Sequence, residues 1–325
     1  MRKRYWIAGA AGAAVAAKLL FRPADVDWQK NREAVFHAGH SRFCEIDSLR
    51  VHYQEAGNPD CPTAILIHGF CSSTLVWSKV FLELAEQGFH VVAPDLLGFG
   101  YSAKPRNFDY TIPAQARMIV SLLQQLGKDR AILVGSSYGG AVAGSIALDY
   151  PALVGRLILV GTVSNNAPTR YLIMRLFAAP ILGDLLSPFL VGSRRLLRRR
   201  MMRVYDRHSW QMDERRLDAR HLPLRTKGTH RALIRTVRRW DAERIQREAP
   251  QITQPTLLIW GHDDQDVPVT FGQQLQESIP GSRLIVFRNC GHLPHEEYPG
   301  EFVSVVSTFL KAEDTSNEDR VTATA

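Results

Sequence analysis

A serine between two glycines follows a short apolar run near the middle of the chain. Ser137 is the central residue of Gly135-Ser136-Ser137-Tyr138-Gly139, and small residues typical of a helix start come next. A serine hydroxyl is a weak nucleophile, so it must be held on a sharp strand-to-helix turn where a base can reach it. Flanking glycines have no Cβ, which lets strand and helix pack closely at such a corner. The pattern predicts that Ser137 is a nucleophile.

Side chains that could activate this serine follow in two later loops. One loop contains three carboxylates, Asp263, Asp264 and Asp266, and the loop after a further apolar run contains His292. Each group stands at the carboxyl end of a predicted strand, in the chain order serine, acid, histidine. That order is one of the known arrangements of a catalytic triad, in which histidine is the base and a carboxylate orients it.

Several motifs occur at matching spacing between about Leu49 and Leu310, which is most of the chain. The motifs are His68-Gly69-Phe70, the stretch from Asp95 to Ser102, the turn from Gly135 to Gly139, Trp260-Gly261-His262-Asp263-Asp264 with Val267-Pro268, and Gly291-His292. With these motifs the chain resembles the α/β-hydrolase fold serine hydrolases. The motifs are specific for that superfamily and poorly specific for a substrate.

The resemblance implies a role for each matching residue. Ser137 is then the nucleophile, and His292 is the general base that later acts as the acid. Asp264 is the implied triad acid, with Asp263 and Asp266 as alternatives. The implied oxyanion donors are the backbone N–H groups of Phe70 and Tyr138. In this interpretation His68 fixes its loop, and His295 is a residue behind the site or at the surface.

Strand-like and helix-like patterns alternate along the chain. Apolar runs fit parallel strands that are covered on both faces, and the alternating stretch Leu49 to Ala56 fits an antiparallel hairpin with Phe43 to Ile46. The predicted parallel strands are 63–67, 90–93, 131–134, 157–160, 256–260 and 283–287, and the predicted helices are 74–87, 112–126, 138–149, 269–279 and 299–311. These elements predict an α/β class protein with a mostly parallel, doubly wound sheet. The predicted core comprises residues 23–162 and 251–311. Residues 163–250 interrupt the alternation, and the resemblance implies that this insertion forms a helical cap.

The predicted cap begins with an apolar part and continues with a strongly basic part. The part from Tyr171 to Val191 is interrupted at Pro180, Gly183 and Pro188, so we expect short helices that pack on the core or line an acyl pocket. Residues 191–240 contain fifteen Arg and one Lys against four acids, a local net charge of +12 in a chain of +8. This basic segment favours docking on an anionic membrane surface, with a solvated arginine-rich helix face as the alternative. No nucleic-acid motif is present, and no nucleic-acid partner is expected.

Residues 1–22 combine a basic start with an apolar run, Tyr5 to Ala17. The run is shorter than the roughly 20 residues of a membrane span, so the segment is predicted to be a signal anchor or a signal peptide. An uncleaved anchor would hold the catalytic domain outside the cytoplasm; a secreted or a cytoplasmic protein is the alternative. Residues 312–325 are polar and predicted to be a disordered tail.

Cysteines and cofactor motifs add little. Cys44, Cys61, Cys71 and Cys290 have no metal-ligand spacing, and a contact or disulfide between Cys71 and Cys290 is a hypothesis, because both flank the predicted site. No metal, nucleotide or flavin motif stands out, and serine-based hydrolysis needs no cofactor.

The predicted function is hydrolysis of carboxylic esters through an acyl-enzyme on Ser137. The apolar cap and the N-terminal segment favour a small-molecule or lipid-like ester such as an acylglycerol, and the chain is similar to membrane-anchored monoacylglycerol lipases in its leader and cap position. A serine nucleophile argues against branches of the fold that use aspartate. C–C bond hydrolases and cofactor-free haloperoxidases share the triad and remain open, as does a non-catalytic ligand-binding protein.

Overall fold

A computed structural model of the protein describes Gly12 and residues 28–205 and 212–312. The predicted N-terminal signal segment, apart from Gly12, and the predicted tail, apart from Ala312, lie outside these residues. In the part of the chain that the structure describes, no helix is both long and apolar enough to cross a membrane.

A single sheet carries the fold. Its strands are β1 (Ser41–Ile46), β2 (Leu49–Ala56), β3 (Thr63–Ile67), β4 (His90–Pro94), β5 (Ala131–Ser136), β6 (Val154–Val160), β7 (Thr256–Gly261) and β8 (Arg283–Phe287). Their order across the sheet is β1-β2-β4-β3-β5-β6-β7-β8. β2 pairs antiparallel with both β1 and β4, and every other pair of neighbours is parallel. The predicted mostly parallel α/β sheet is confirmed.

Helices cover both faces of the sheet. They are α1 (Trp28–Asn31), α2 (Phe81–Glu86), α3 (Ile112–Gln125), α4 (Tyr138–Asp149), α5 (Leu172–Ala178), α6 (Leu182–Gly192), α7 (Arg194–Val204), α8 (Glu214–Leu224), α9 (Thr229–Arg238), α10 (Glu243–Glu248), α11 (Val269–Ser278), α12 (Pro294–Glu297) and α13 (Pro299–Lys311). Alternate residues of β3 enter two separate apolar clusters: Ile65 and Ile67 pack with α3 and α4, whereas Ala64 and Leu66 pack with α2 and α13. Burial on both faces explains why the strands read as continuous apolar runs.

The helix predicted over 74–87 is divided in two. A 3-10 turn spans Thr74–Trp77, and α2 begins only at Phe81. The turn is fixed at its start, where the Ser73 hydroxyl accepts the N–H of Leu75 and the Asp95 carboxylate accepts the N–H of Thr74 at 2.7 Å. Asp95 is far from this turn in sequence, so local periodicity could not reveal the break.

The segment that joins β6 to β7 carries α5 to α10, and we call its residues 163–250 the cap segment. Of the predicted interruptions, Pro180 separates α5 from α6, but Gly183 and Pro188 lie inside α6. Proline has no N–H for the carbonyl of Asp184, and the Ser187 hydroxyl donates to that carbonyl at 3.5 Å instead. A Cβ on Gly183 would lie 2.4 Å from the Phe177 carbonyl oxygen, so glycine allows α5 and α6 to approach closely. The boundaries of core and cap remain a prediction.

Candidate active site

The turn between β5 and α4 holds Ser137 in a strained conformation. Its φ of 55° and ψ of −118° lie in a backbone region that residues other than glycine rarely adopt. The Ser137 N–H donates to the Val160 carbonyl at 2.8 Å, which ties the turn to the end of β6. A Cβ on Gly135 would lie 2.4 Å from the Gly139 carbonyl oxygen, so the corner accepts no side chain there. The serine is half-buried at the carboxyl edge of the sheet.

The loop after β3 lies directly against this serine. The Cβ position of Gly69 is 3.1 Å from Cβ of Ser137 and 3.7 Å from its Oγ. Tyr138 is the first residue of α4, where N–H groups have no partner within the helix. Among the described residues, neither the N–H of Phe70 nor that of Tyr138 donates to a protein acceptor. Two unpaired N–H groups beside a serine are the donors that an oxyanion requires.

His68 holds this loop in place. Its Nε2 accepts the N–H of Leu96 at 3.0 Å, so its Nδ1 carries the proton and donates to the Gly69 carbonyl at 2.8 Å. Burial lowers the pKa of His68, which keeps the ring neutral, and the neighbouring Asp95 only partly offsets this effect. The contacts agree with the interpretation of His68 as a loop-fixing residue.

The structure brings His292 and Asp264 into direct contact. His292 Nδ1 is 2.7 Å from Asp264 Oδ2, and the other carboxylate oxygen accepts the N–H groups of Asp266 and Val267, each at 2.9 Å. Both side chains are buried. The alternative acids point elsewhere: Asp263 contacts His262 at 2.8 Å, and Asp266 lies 3.6 Å from Arg200. Asp264 is therefore the carboxylate placed to orient His292.

The buried carboxylate changes the basicity of His292. Burial alone would lower the pKa of the imidazole, but the charge of Asp264 and its hydrogen bond outweigh burial and raise the pKa above the ordinary 6.5. Gly161, which follows β6, makes room for the pair: its φ is +50°, and a Cβ there would lie 3.2 Å from His292 Nδ1 and 3.3 Å from Asp264 Oδ2. A carboxylate in this position selects the tautomer whose Nε2 can take a proton.

The Ser137 turn and the His292–Asp264 pair both contact the segment that follows β6. The Val163 N–H donates to the Ser137 carbonyl at 3.3 Å, two residues beyond Gly161. Among the hydrogen bonds of the described residues, none joins the Ser137 hydroxyl to His292. Such contacts commonly tighten only when a substrate binds.

The roles of two adjacent glutamates after His292, Glu296 and Glu297, were not predicted from the sequence. The buried carboxylate of Glu297 accepts the N–H groups of Gly291 at 3.0 Å and Leu293 at 3.1 Å, the two residues that flank His292. The His292 N–H itself donates to the Val204 carbonyl at the end of α7, at 3.0 Å. The backbone around His292 is thus held from both sides, by a carboxylate of α12 and by the cap segment.

Glu296 joins α12 to the cap segment. Its buried carboxylate pairs with the guanidinium groups of Arg216, at 3.2 Å, and Arg220, and it accepts the Tyr205 hydroxyl. Burial would raise the pKa of Glu296, but the two arginines hold it at about 2. The neighbouring His295, which the sequence placed behind the site or at the surface, is buried against Trp77 with ring centroids 4.4 Å apart. The surface alternative for His295 is wrong.

Aromatic side chains form one wall beside the serine. The Trp240 ring of the cap segment lies 5.1 Å from the Tyr138 ring and 5.7 Å from the Phe70 ring, and Phe70 lies 6.1 Å from Phe99. Phe99 and Tyr138 are buried and Phe70 and Trp240 are half-buried, so the wall joins the loop after β3 to the cap segment.

Among the described residues, the cysteines and acidic groups form neither a disulfide nor a metal site. All four cysteines are free thiols, so the hypothesis of a Cys71–Cys290 disulfide is wrong. Burial raises the pKa of the Cys71 thiol to about 12, which makes it unreactive at neutral pH. Within residues 28–205 and 212–312, no group of three or more His, Cys, Asp or Glu side chains is arranged to hold a metal ion.

Comparison with known proteins identifies the family. A family model described as alpha/beta hydrolase fold matches residues 62–299. The match covers well over half of the chain, and the chain therefore belongs to the α/β-hydrolase fold family. The identification made from the motifs is confirmed at this level.

Individual relatives differ in what they are said to do. The uncharacterized hydrolase YugF of Bacillus subtilis (strain 168) is 30% identical over 275 residues, which cover 82% of this chain and 96% of that protein. A 2-hydroxy-6-oxononadienedioate/2-hydroxy-6-oxononatrienedioate hydrolase of Klebsiella pneumoniae subsp. pneumoniae is 28% identical and covers 84% of this chain and 96% of its own. A solved structure described as a membrane phospholipase A, a novel bacterial virulence factor, has a TM-score of 0.71 at 25% identity and covers 95% of this chain and 98% of its own.

Proposed function

We propose that the protein is a serine hydrolase that cleaves carboxylic esters through an acyl-enzyme on Ser137. The observation that carries the proposal is the strained Ser137 turn beside the buried His292–Asp264 pair, with the free N–H groups of Phe70 and Tyr138 next to it. A nucleophile, a base with its orienting acid and two oxyanion donors are the parts that acyl transfer needs.

The reaction follows from these positions. His292 Nε2 takes the proton of the Ser137 hydroxyl as its oxygen attacks the ester carbonyl, and the Phe70 and Tyr138 N–H groups stabilise the oxyanion. The C–O bond to the alcohol breaks, and the alcohol leaves with the proton from His292. Water, deprotonated by His292, then attacks the acyl-enzyme, releases the carboxylic acid and restores Ser137. Asp264 stabilises the imidazolium in both steps.

A lipid-like ester, such as a phospholipid or an acylglycerol, is the substrate class that we favour. The half-buried rings of Phe70 and Trp240 suit an acyl chain, because burial of apolar surface stabilises binding by about 25 cal/mol per Å². The similarity to a structure described as a membrane phospholipase A supports the same class.

Hydrolysis of a C–C bond is the second candidate. It is favoured by relatives such as the Klebsiella hydrolase, whose named substrates are dioates and so carry two carboxylates. A dicarboxylate needs cationic partners in the site, whereas the wall beside Ser137 is aromatic. Arg200 is close enough for its charge to act on His292, but it already forms an ion pair with Asp266 at 3.6 Å. For this reason we place ester hydrolysis ahead of the cleavage of a dioate.

The test is a fluorophosphonate label followed by substrate panels. The folded protein is expected to be labelled and to hydrolyse p-nitrophenyl esters, with an optimum at long acyl chains, and both signals are expected to vanish in Ser137→Ala. The matched control is Ser136→Ala, which removes the adjacent buried hydroxyl and keeps the label. Preference for a ring-fission dienedioate would select C–C hydrolysis, and an unlabelled, inactive wild type would select the non-catalytic ligand-binding alternative.

A further inference from the structure

Exposed apolar side chains are concentrated on the first half of the cap segment. Leu172 is 72% exposed, Ile181 75% and Leu185 52%. Tyr171, Leu182 and Phe189 are exposed as well, whereas Val286 on β8 is the one comparable side chain that the described residues expose outside the cap segment. We call the six cap residues the apolar cap face, whose members are Tyr171, Leu172, Ile181, Leu182, Leu185 and Phe189. A contiguous exposed apolar surface commonly marks an interaction site.

The apolar cap face follows the periodicity of a helix. On α6, Leu182, Leu185 and Phe189 recur at intervals of three and four residues and are exposed, whereas Gly183, Ser187 and Val191 recur at intervals of four and are buried. Packing on the core therefore uses one side of α6, and the leucines lie on another side.

The next helix along the chain exposes cations. Arg195, Arg199 and Arg203 are spaced four residues apart on α7, and all three are exposed. Arg194 and Arg198 pair with Glu214. Within residues 28–205 and 212–312, no carboxylate forms an ion pair with Arg195, Arg199 or Arg203. Met202, 50% exposed, lies between the last two.

We propose that the apolar cap face and the exposed arginines of α7 dock on an anionic lipid bilayer. Apolar side chains would enter the boundary between head groups and acyl chains, and the three arginines would contact lipid phosphates. An arginine near an anionic membrane strengthens binding by a factor of about five. The apolar cap face argues against a nucleic-acid-binding surface, because exposed leucines would not contribute to binding a nucleic acid. The docking does not depend on the chemistry of Ser137; only the inference that docking delivers the substrate rests on the proposed function.

The docking contact also borders the candidate active site. α7 ends at Val204, whose carbonyl accepts the His292 N–H, and Trp240 of the same segment lies against Tyr138. A bilayer held against α6 and α7 would therefore contact the part of the protein that packs directly on the base and on the aromatic wall.

Hydrogen–deuterium exchange of the full chain locates the contact even if residues 1–22 bind lipid on their own. Vesicles of phosphatidylcholine mixed with phosphatidylglycerol are expected to slow exchange in peptides from residues 171–204 and to leave α11 unchanged. Vesicles of phosphatidylcholine alone are expected to have a smaller effect. Slowing that is confined to the N-terminal peptides, or that appears without vesicles as protein concentration rises, would overturn the proposal; the second result would assign the surface to another copy of the chain.

Matched variants separate the two parts of the surface. The double variant Leu182→Asp with Leu185→Asp, and the charge reversal Arg195→Glu with Arg199→Glu, are each expected to abolish the vesicle-dependent slowing in residues 171–204. The controls are the single variants Val286→Asp and Arg283→Glu, which introduce the same acidic residues at exposed positions of β8. Hydrolysis of a water-soluble short-chain ester is expected to be unchanged in all four. Persistent slowing in both cap variants would refute the docking surface, whereas an inactive wild type that still docks would refute only the proposed function.

Discussion

Replacing Glu296 with glutamine is expected to destabilise the protein by about 3–5 kcal/mol, because the change leaves two buried arginines without their counter-charge. The side chain of Glu296 is fully buried, and those of Arg216 and Arg220 are 6% and 8% exposed. The pKa gives a second estimate: the arginines hold Glu296 at about 2, against an ordinary 4.5. At 1.36 kcal/mol per pH unit, this difference corresponds to about 3 kcal/mol.

The pH dependence has a definite sign. The folded pKa of Glu296 lies below its ordinary value, so the stabilisation is complete above about pH 4.5 and is lost as the pH falls toward 2. The difference in unfolding free energy between wild type and Glu296→Gln should therefore be largest at neutral pH and should shrink in this acidic window. In a chain of this size, the loss corresponds to a drop in melting temperature of about 5–10 °C.

Denaturant unfolding at a series of pH values, followed by circular dichroism, measures both effects. Glu214→Gln is the matched control, since Glu214 also contacts two arginines, Arg194 and Arg198, but at the surface. Solvent screens that cluster, so we expect little change in the control. A loss below about 1 kcal/mol in Glu296→Gln, or a loss equal to that of the control, would refute the reasoning that burial makes this ion pair essential.

Three further changes test the candidate site. Asp264→Asn is expected to reduce kcat by about 10⁴-fold. Because the base must be neutral and Asp264 raises the pKa of His292, the rise of kcat/KM with pH should also move to lower pH. An unchanged pH profile would exclude Asp264 as the partner of His292. Glu297→Gln keeps the shape of the side chain but offers only one acceptor oxygen to the N–H groups of Gly291 and Leu293. Steady-state kinetics should show kcat lowered about 10- to 100-fold with KM little changed, and the control Glu301→Gln, at an exposed position, should match wild type. A change in KM alone would contradict a positioning role for Glu297. Gly161→Ala places a methyl group 3.2 Å from His292 Nδ1, whereas Gly127→Ala adds a methyl group at a similar positive φ with no atom within 4 Å. We expect about a 100-fold loss of kcat only in Gly161→Ala. Equal losses in the two variants would point to backbone strain instead.

The positions of the candidate triad residues could be predicted from the sequence because parallel strands end at one edge of a sheet. Ser137, Asp264 and His292 each follow an apolar run, and the structure places Ser137 at the end of β5 with Asp264 and His292 in the loops after β7 and β8. The choice of Asp264 among three acids came from the resemblance, and the contact with His292 at 2.7 Å agrees with it. The local sequence pattern and the family motifs were sufficient to predict these positions, since the ends of the strands determine which loops meet.

The roles of the two glutamates could not be predicted in the same way. Arg216 and Arg220 are 80 and 76 residues from Glu296, and they belong to a segment that the sequence presents as one basic block. Folding divides that block: Arg216 and Arg220 enter the interior, whereas Arg195 and Arg199 remain exposed. Charge counts cannot make this division, because it depends on how α7 and α8 pack on the core.

The adjacent glutamates connect the cap segment directly to the backbone around His292. Glu296 is bound to cap arginines, and Glu297, its neighbour on the same short helix, holds the two N–H groups that flank His292. The Val204 carbonyl, at the end of the helix that carries the exposed arginines, binds the N–H between them. A displacement of the cap segment must therefore break these contacts or move His292 with it. If the cap docks on a bilayer as proposed, the membrane would act on the same element that positions the base, and kcat rather than KM alone should respond to vesicles.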